Sequence, residues 1–226
     1  MGQFPFAVVV FDLDGTLANT APDLTDALNQ MLVQLGREQV PGARVIEMVG
    51  RGMRNLVERG LGATGVVTPA LIEQALPIFL EYYETHIADA SRPYEGAEAA
   101  LDLLRMRGAK SAICTNKPEQ LTQKLLAAFG WTKRFASVIG GDTLPVRKPD
   151  AAPLREAIKR AGGGRAVLVG DSIIDVQTAN AAGLPCLAVT FGFRDRPAEA
   201  LGATGLIERL DQLVPALEKL TTEADS

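Results

Sequence analysis

Two carboxylates stand one residue apart directly after an apolar run. Residues 11–20 read FDLDGTLANT and follow the run FAVVV, so that Asp12 and Asp14 mark the point where a buried segment ends. Asp and Gly are common turn residues, and the pair alone would also suit an ordinary strand end. The chemical alternative is a site, because paired carboxylates bind hard cations and transfer protons. The rest of the chain decides between these two interpretations.

Further polar residues follow other apolar runs. Thr115 ends the run KSAICT and Asn116 follows it directly. Asp171 follows the run RAVLVG. In open α/β sheets, ligands bind outside the carboxyl ends of the strands, so these clusters are expected to meet in one crevice. Asp12, Asp14 and Asp171, with almost no His or Cys nearby, would form an oxygen site that suits Mg²⁺ and disfavours zinc.

The same crevice has the features of a phosphate site. Thr115 and Asn116 precede KPEQ, where Pro118 suits the first turn of a helix. Free backbone N–H groups at that helix start, together with the Thr115 hydroxyl, would bind a phosphate oxygen. Lys148, in VRKPD, would add a positive charge beside the same anion.

These groups together predict phosphoryl transfer to a carboxylate. Asp12 can attack a phosphate dianion only where Mg²⁺ and Lys148 screen the repulsion between the two anions. An aspartate needs no base to form its nucleophilic state at neutral pH. The product would be an acyl phosphate, which water can attack, and Asp14 could protonate the leaving oxygen and then activate that water.

Alternating strand and helix patterns predict the scaffold. Short apolar runs at 6–11, 110–115, 136–141, 165–170 and 185–190 suit strands buried on both faces of a parallel sheet. Helical patterns that end in Gly lie between them, at 96–108, 119–130, 151–163 and 173–183. We therefore predict an α/β fold, an open parallel Rossmann-like sheet with helices on both faces, closed by a helix at 210–220.

The interval 18–92 breaks this alternation, since it contains no convincing strand. Thr20 and Asp23 have the spacing of a capping box, and a second helix starts at Thr68 and Pro69. We predict a helical domain at 18–92, inserted into a catalytic core of residues 1–17 and 93–226. Its loop VGRGMR (49–54) carries Arg51, which either binds a substrate carboxylate or is an ordinary solvated residue. Lys117 is expected at the surface of a helix start.

Composition narrows the class of partner. The chain of 226 residues has a net charge of -4 and a hydrophobic content of 47%, which favours a globular protein without a nucleic-acid or membrane partner. Its two cysteines lie in apolar runs, and we find neither a secretory signal nor a membrane-spanning segment. We expect a cytoplasmic protein, a monomer or homodimer.

Four segments resemble the motifs of the haloacid dehalogenase-like hydrolase superfamily: DLDGTLANT, CTNKP, RKPD and VGDSIID. The sequence of nearly the whole chain is similar to the phosphoglycolate phosphatase group of this superfamily. The resemblance implies that Asp12 is the nucleophile and a metal ligand, and that Asp14 is the general acid and base with its backbone carbonyl on the metal. Lys148 and Thr115 would hold the phosphoryl group. Asp171 would complete the Mg²⁺ site, Asp175 would orient Lys148 or metal waters, and the inserted helices would form a cap.

The resemblance implies a Mg²⁺-dependent phosphatase for a small phosphorylated metabolite, with 2-phosphoglycolate favoured. Another phosphatase of this architecture, acting on a sugar phosphate or pyrophosphate, remains open, as does a sugar-phosphate mutase. A non-catalytic phosphate-binding module would be favoured had Asp12 or Lys148 been replaced, and neither is. Asp rather than Tyr at position 14 argues against a dehalogenase.

Overall fold

The structure is a computed structural model that describes residues 4–193 and 196–222. In chain order its elements are β1 (Val8–Phe11), β2 (Ala18–Asn19), α1 (Ala21–Gln34), α2 (Gly42–Ile46), α3 (Met53–Thr64), α4 (Pro69–Thr85), β3 (Arg92–Pro93), α5 (Ala97–Met106), β4 (Lys110–Cys114), α6 (Glu119–Ala128), β5 (Ser137–Ile139), α7 (Ala151–Arg160), β6 (Ala166–Gly170), α8 (Ile173–Ala182), β7 (Cys186–Val189), β8 (Gly205–Ile207) and α9 (Leu213–Thr222). Short 3₁₀ turns lie at Ala198–Leu201 and Leu210–Gln212.

Across the described residues, six parallel strands form the main sheet in the order β5-β4-β1-β6-β7-β8. All four residues of β1 are buried. Val9 and Phe11 face one apolar cluster, whereas Val8 and Val10 face another, so both faces of the sheet are covered. This arrangement confirms the predicted α/β fold and explains why the strand runs do not alternate. The edge strand β8 was not predicted.

The predicted core helices form as α5, α6, α7 and α8, and each ends within a few residues of a glycine. The closing helix begins as a 3₁₀ turn and continues as α9. Pro215 is compatible with α9 because it lies in the first turn, where a helix has no backbone partner for the missing N–H.

Helices α1 to α4 lie between β2 and β3 and form the helical cap of this fold. Leu24, Leu28 and Met31 of α1 are fully buried in it. Contrary to the expectation for 18–92, short strands lie at both ends of this interval, where β2 and β3 pair antiparallel. The domain boundaries stay a prediction. Of the described helices, none alone is long and apolar enough to cross a membrane; α3 and α4 together pass by length and composition but are bent by 115°.

The capping box predicted at Thr20 and Asp23 is wrong. The Thr20 hydroxyl donates to Asp14 Oδ1 at 2.8 Å instead, and the Asp23 carboxylate accepts from the backbone N–H groups of Ala90 and Ser91 at 2.9 and 2.8 Å. Asp14, six residues away, and the distant backbone at Ala90 and Ser91 displace the local cap, since a buried polar group left unpaired is costly. At α4 the expected cap forms, with Thr68 accepting from the Leu71 N–H at 3.2 Å.

Candidate active site

The site lies where three neighbouring strands end. Asp12 and Asp14 follow β1, and Thr115 follows β4 on one side of it. Asp171 follows β6 on the other side. Parallel strands bring their carboxyl ends to one edge of the sheet, so residues more than 150 positions apart in the chain meet there. Asp12, Asp14, Thr115 and Asn116 line one cavity, whereas Lys148 and Asp171, which were expected in the same crevice, do not line it.

Lys148 joins two buried carboxylates. Its Nζ lies 3.0 Å from Asp12 Oδ2 and 2.6 Å from Asp175 Oδ1, and all three side chains are buried. The Leu13 N–H donates to Asp12 Oδ1 at 2.7 Å. Burial raises the pKa of Asp12 to about 6, against the opposing charge of Lys148. Burial also lowers the pKa of Lys148, but Asp12 and Asp175 outweigh it and raise that pKa above its usual range. The hydrogen bond from the Leu13 N–H and the ion pair with Lys148 together hold the Asp12 carboxylate in place.

Asp171 and Asp175 are fixed at the start of α8. Asp171 accepts from the Thr16 hydroxyl at 3.1 Å and from the Phe193 N–H at 2.5 Å. Asp175 Oδ2 accepts from the N–H and hydroxyl of Ser172 at 3.1 and 2.7 Å, which forms a capping box. Burial raises the pKa of Asp171 well above its usual value, and the charges of Asp175 and Asp12 raise it further. Two immobilised carboxylates therefore face Asp12.

The donor set suits a divalent cation. One carboxylate oxygen each from Asp12, Asp171 and Asp175 lies within 4.8 Å of the others. With Asp14 included, the described part of the chain places four buried carboxylates here against the ammonium groups of two buried lysines. The excess of negative charge and the oxygen-only donors fit Mg²⁺. The Asp14 carboxylate is not one of these three. Asp14 would therefore contribute its backbone carbonyl to the metal, as the family resemblance implies.

Asp14 is held by two partners, neither of which the sequence predicted. The Thr20 hydroxyl donates to Asp14 Oδ1 at 2.8 Å, and Lys117 Nζ lies 3.1 Å from the same oxygen. The expectation that Lys117 is a surface residue is wrong, since it is only 2% exposed. Lys117 also donates to the Tyr83 hydroxyl at 2.5 Å. Its position after Thr115 and Asn116 was the only local signal, because both partners are distant in the chain.

Asn116 connects the core to the cap loop. Its Nδ2 donates to the carbonyls of Gly50 and Lys148, both at 3.0 Å. Its Oδ1 is buried without a partner among the described residues. The Thr115 hydroxyl accepts from the Lys117 N–H at 3.3 Å. Asn116 therefore positions the Lys148 loop and the cap loop against each other.

The arginines of the cap loop are not in the cavity. Arg51 is exposed and does not line it, although its neighbours Gly50 and Gly52 do. Arg54 is paired with Glu73 at 2.6 Å on the surface. The structure therefore gives Arg51 no contact with the other candidate residues and leaves its predicted role in substrate binding a prediction.

Comparison with known proteins identifies the family. A model described as haloacid dehalogenase-like hydrolase matches residues 9–189. The chain belongs to this family. A phosphoglycolate phosphatase of Caulobacter vibrioides is 43% identical over 204 residues, which cover 87% of this chain and 84% of the relative. One from Mesorhizobium japonicum is 41% identical over 213 residues, covering 93% and 94%.

A solved structure agrees with this assignment. The crystal structure of a predicted phosphoglycolate phosphatase from Haemophilus somnus has a TM-score of 0.89 and 28% identity, and covers 95% of this chain and 99% of that one. The predicted resemblance to the phosphoglycolate phosphatase group of the haloacid dehalogenase-like hydrolases is confirmed, and so are the fold with its helical cap and the enzyme class, a phosphatase. The roles of the individual residues stay predictions.

Proposed function

We propose that this haloacid dehalogenase-like phosphatase hydrolyses 2-phosphoglycolate to glycolate and phosphate, with Mg²⁺ and through a phosphoryl group carried by Asp12. The observation that carries the proposal is the buried Asp12 carboxylate, with Oδ2 3.0 Å from Lys148 Nζ in a cavity that Asp14 also lines. Asp12 thus has a fixed cation beside it and an acid–base group two residues away. The names of the relatives support the substrate.

Mg²⁺ would be held by the carboxylates of Asp12 and Asp171 and the backbone carbonyl of Asp14. When bound, it would reduce the repulsion between the Asp12 carboxylate and the phosphate and stabilise the negative charge of the transition state. Asp175 would act at a distance from the phosphate, since its Oδ1 accepts from Lys148 and its Oδ2 from Ser172.

The reaction follows in two steps. A carboxylate oxygen of Asp12 bonds to phosphorus, and the bond between phosphorus and the glycolate oxygen breaks. Asp14 gives its proton to that leaving oxygen, and glycolate departs. A water molecule then attacks the phosphorus of the acyl phosphate while Asp14 takes a proton from it, which releases phosphate and restores the Asp12 carboxylate. Thr115 and Lys148 would bind the phosphoryl oxygens in both steps.

The proposed setting follows from the substrate. The enzyme would act in the cytoplasm on a small phosphorylated metabolite, as a monomer or homodimer, without nucleic-acid or membrane partners. The net charge of -4 supports this, because it provides no surplus of cations for a polyanionic surface.

Phosphate release from 2-phosphoglycolate and from a panel of sugar phosphates and pyrophosphate tests the proposal. With Mg²⁺, we expect a clear preference for 2-phosphoglycolate, loss of turnover in EDTA, and none in Asp12→Asn, whose amide is a poor nucleophile. Higher activity on a sugar phosphate or pyrophosphate would overturn the substrate. An isomerised product would indicate a mutase, and turnover by Asp12→Asn would exclude the covalent mechanism.

A further inference from the structure

Lys117 is a buried cation that the proposed reaction does not use. It lines the same cavity as Asp12, Asp14 and Thr115, and its side chain is fully shielded from solvent. Among the described residues that line this cavity, Lys117 is the only lysine or arginine. A buried ammonium is costly, and the Asp14 carboxylate, 3.1 Å from Nζ, offsets that cost and holds Lys117 beside the reacting groups.

We propose that Lys117 binds the carboxylate of the substrate and thereby selects small phosphorylated acids over phosphate esters without a carboxylate. This inference rests on the proposed function and assigns the specificity of that site to one residue. It places the recognition of the carboxylate in the core of the enzyme, at the start of α6, and not on the cap loop that carries Arg51.

The distance between Lys117 and Asp14 supports this role. Lys117 Nζ lies 3.1 Å from Asp14 Oδ1 and 3.4 Å from Asp14 Oδ2. In the proposed reaction Asp14 contacts the leaving oxygen of the substrate. The carboxylate of 2-phosphoglycolate is attached to the carbon next to that oxygen. A cation that touches Asp14 is therefore next to the position of the substrate carboxylate when the phosphoryl group faces Asp12.

The other cations near the cavity are committed elsewhere. Lys148 contacts Asp12 at 3.0 Å and Asp175 at 2.6 Å, and would bind the phosphoryl group. Arg54 is paired with Glu73 on the surface. Arg51 is exposed and absent from the residues that line the cavity. Lys117 is itself paired with Asp14, and among the described residues it is the lysine or arginine that lines the cavity beside Asp14.

The cap fixes the direction of the Lys117 ammonium. Nζ donates to the hydroxyl of Tyr83 at 2.5 Å and lies 4.5 Å from the centre of its ring. Tyr83 belongs to α4 of the cap. An ammonium has three N–H donors, and Asp14 and Tyr83 occupy two of them. The remaining N–H would donate to a substrate carboxylate, which would be recognised while the cap rests on the core.

A pair of substrates separates carboxylate binding from other roles of Lys117. We would measure kcat and KM for 2-phosphoglycolate and for 2-hydroxyethyl phosphate, which has a hydroxymethyl group in place of the carboxylate. In Lys117→Met, we expect the ratio of the two kcat/KM values to fall about 100-fold, because a buried carboxylate loses its charged partner. Lys117→Arg should retain part of the preference.

A control variant shows whether the effect of Lys117→Met is specific to this lysine. Lys124→Met, which removes a half-exposed lysine of α6 paired with Glu84, should leave the ratio and the activity unchanged. An equal loss on both substrates in Lys117→Met would mean that Lys117 only positions Asp14, and this would overturn the proposal. If the wild type does not prefer 2-phosphoglycolate, the proposed substrate fails; if it does and the variant keeps that preference, only the role of Lys117 fails.

A second measurement needs no variant. The wild-type enzyme would be crystallised with 3-phosphonopropionate, in which a methylene group replaces the bridging oxygen of 2-phosphoglycolate and prevents hydrolysis. We expect its carboxylate within hydrogen-bond distance of Lys117 Nζ. A carboxylate bound to Arg51, or one directed into solvent, would overturn the proposal even if Lys117→Met fails to fold.

Discussion

Lys148 separates two carboxylates that would otherwise face each other in a buried site. Asp12 and Asp175 lie 3.0 and 2.6 Å from its Nζ, and its side chain is 1% exposed. Removal of one partner from a buried ionic network costs about 3–5 kcal/mol. We expect Lys148→Met to lower the free energy of unfolding by that order and kcat by about 100-fold or more, since a fixed charge beside the phosphate is lost.

Urea unfolding and phosphate release measure the two effects of Lys148→Met. The matched control is Lys159→Met, because the Lys159 side chain is 80% exposed and its contact with Glu156 spans 3.9 Å. We expect the control to change the free energy of unfolding by less than about 0.5 kcal/mol and to leave kcat unchanged. Equal effects of the two substitutions would contradict the role given to Lys148.

The residues of the site differ in how far the sequence alone could predict them. Asp12, Asp14 and Asp171 follow apolar strand runs, so the parallel sheet brings them together and the pattern is visible locally. Lys117 was expected at the surface, because its burial depends on Tyr83, a residue 34 positions away on α4. Lys117 follows a strand as well, but only the docking of the cap converts that position into a buried one.

At the scale of elements, two helix starts use the same residue type for different purposes. Thr68 caps α4 through the Leu71 N–H, whereas Thr20 precedes α1 without a cap bond and donates to Asp14. We expect Thr68→Ala to lower the free energy of unfolding by about 1 kcal/mol at unchanged kcat. Thr20→Ala should lower kcat, because Asp14 loses a donor that orients it. A larger loss of kcat in Thr68→Ala than in Thr20→Ala, in parallel assays, would refute this distinction.

The turn from β6 to α8 requires a glycine. A Cβ on Gly170 would lie 2.3 Å from Cγ of Asp175, so Gly170→Ala forces the first turn of α8 away from β6. Overpacking of this kind costs about 1–3 kcal/mol, and a shift of 1 Å at a catalytic group can cost about 100-fold in rate. We expect losses of this order in unfolding experiments and in kcat/KM.

Gly62→Ala is the control for Gly170→Ala. At Gly62, within α3, the nearest atom to a Cβ is Cγ2 of Val67 at 3.7 Å, an ordinary contact. Ala is favoured over Gly inside a helix by about 1 kcal/mol, so this variant should be slightly more stable and fully active. Full activity of Gly170→Ala would show that the turn adapts and that the position of Asp175 does not depend on the glycine.

The strands that the sequence did not predict are short segments that form only because a neighbouring strand pairs with them. The five predicted strands are apolar runs that carry their own signal of burial on both faces. Strand β8 has only three residues at the sheet edge, with Leu206 40% exposed, and β2 and β3 have two residues each. Such short segments become strands through their neighbours: Ala18 pairs with Pro93, which lies 75 positions further along the chain.

At the scale of the whole molecule, the site buries several carboxylates, and burial of their ionised forms opposes folding. Asp12 faces Lys148, Asp175 and Asp14, and burial raises its pKa from 3.8 to about 6. An acid with a raised pKa in the folded state favours folding fully below its unfolded pKa, and this contribution is lost as the pH rises through the folded pKa. The metal-free enzyme should therefore lose stability between about pH 4 and pH 6 through this group. Asp171 acts in the same direction.

Mg²⁺ should reverse this loss, because it would bind the ionised carboxylates of the folded state. At a hundredfold excess over Kd, a ligand stabilises a protein by about 2.7 kcal/mol, which corresponds to roughly 5–10 °C in Tm for a chain of this size. We expect a rise of that order near pH 8 and a much smaller one near pH 5, where protons compete for Asp12 and Asp171. Thermal melts with Mg²⁺ and with EDTA measure both. Asp171→Asn should abolish the rise, whereas Asp89→Asn, which changes an exposed acid, should retain it. An equal rise at both pH values would contradict the link between metal binding and these buried carboxylates.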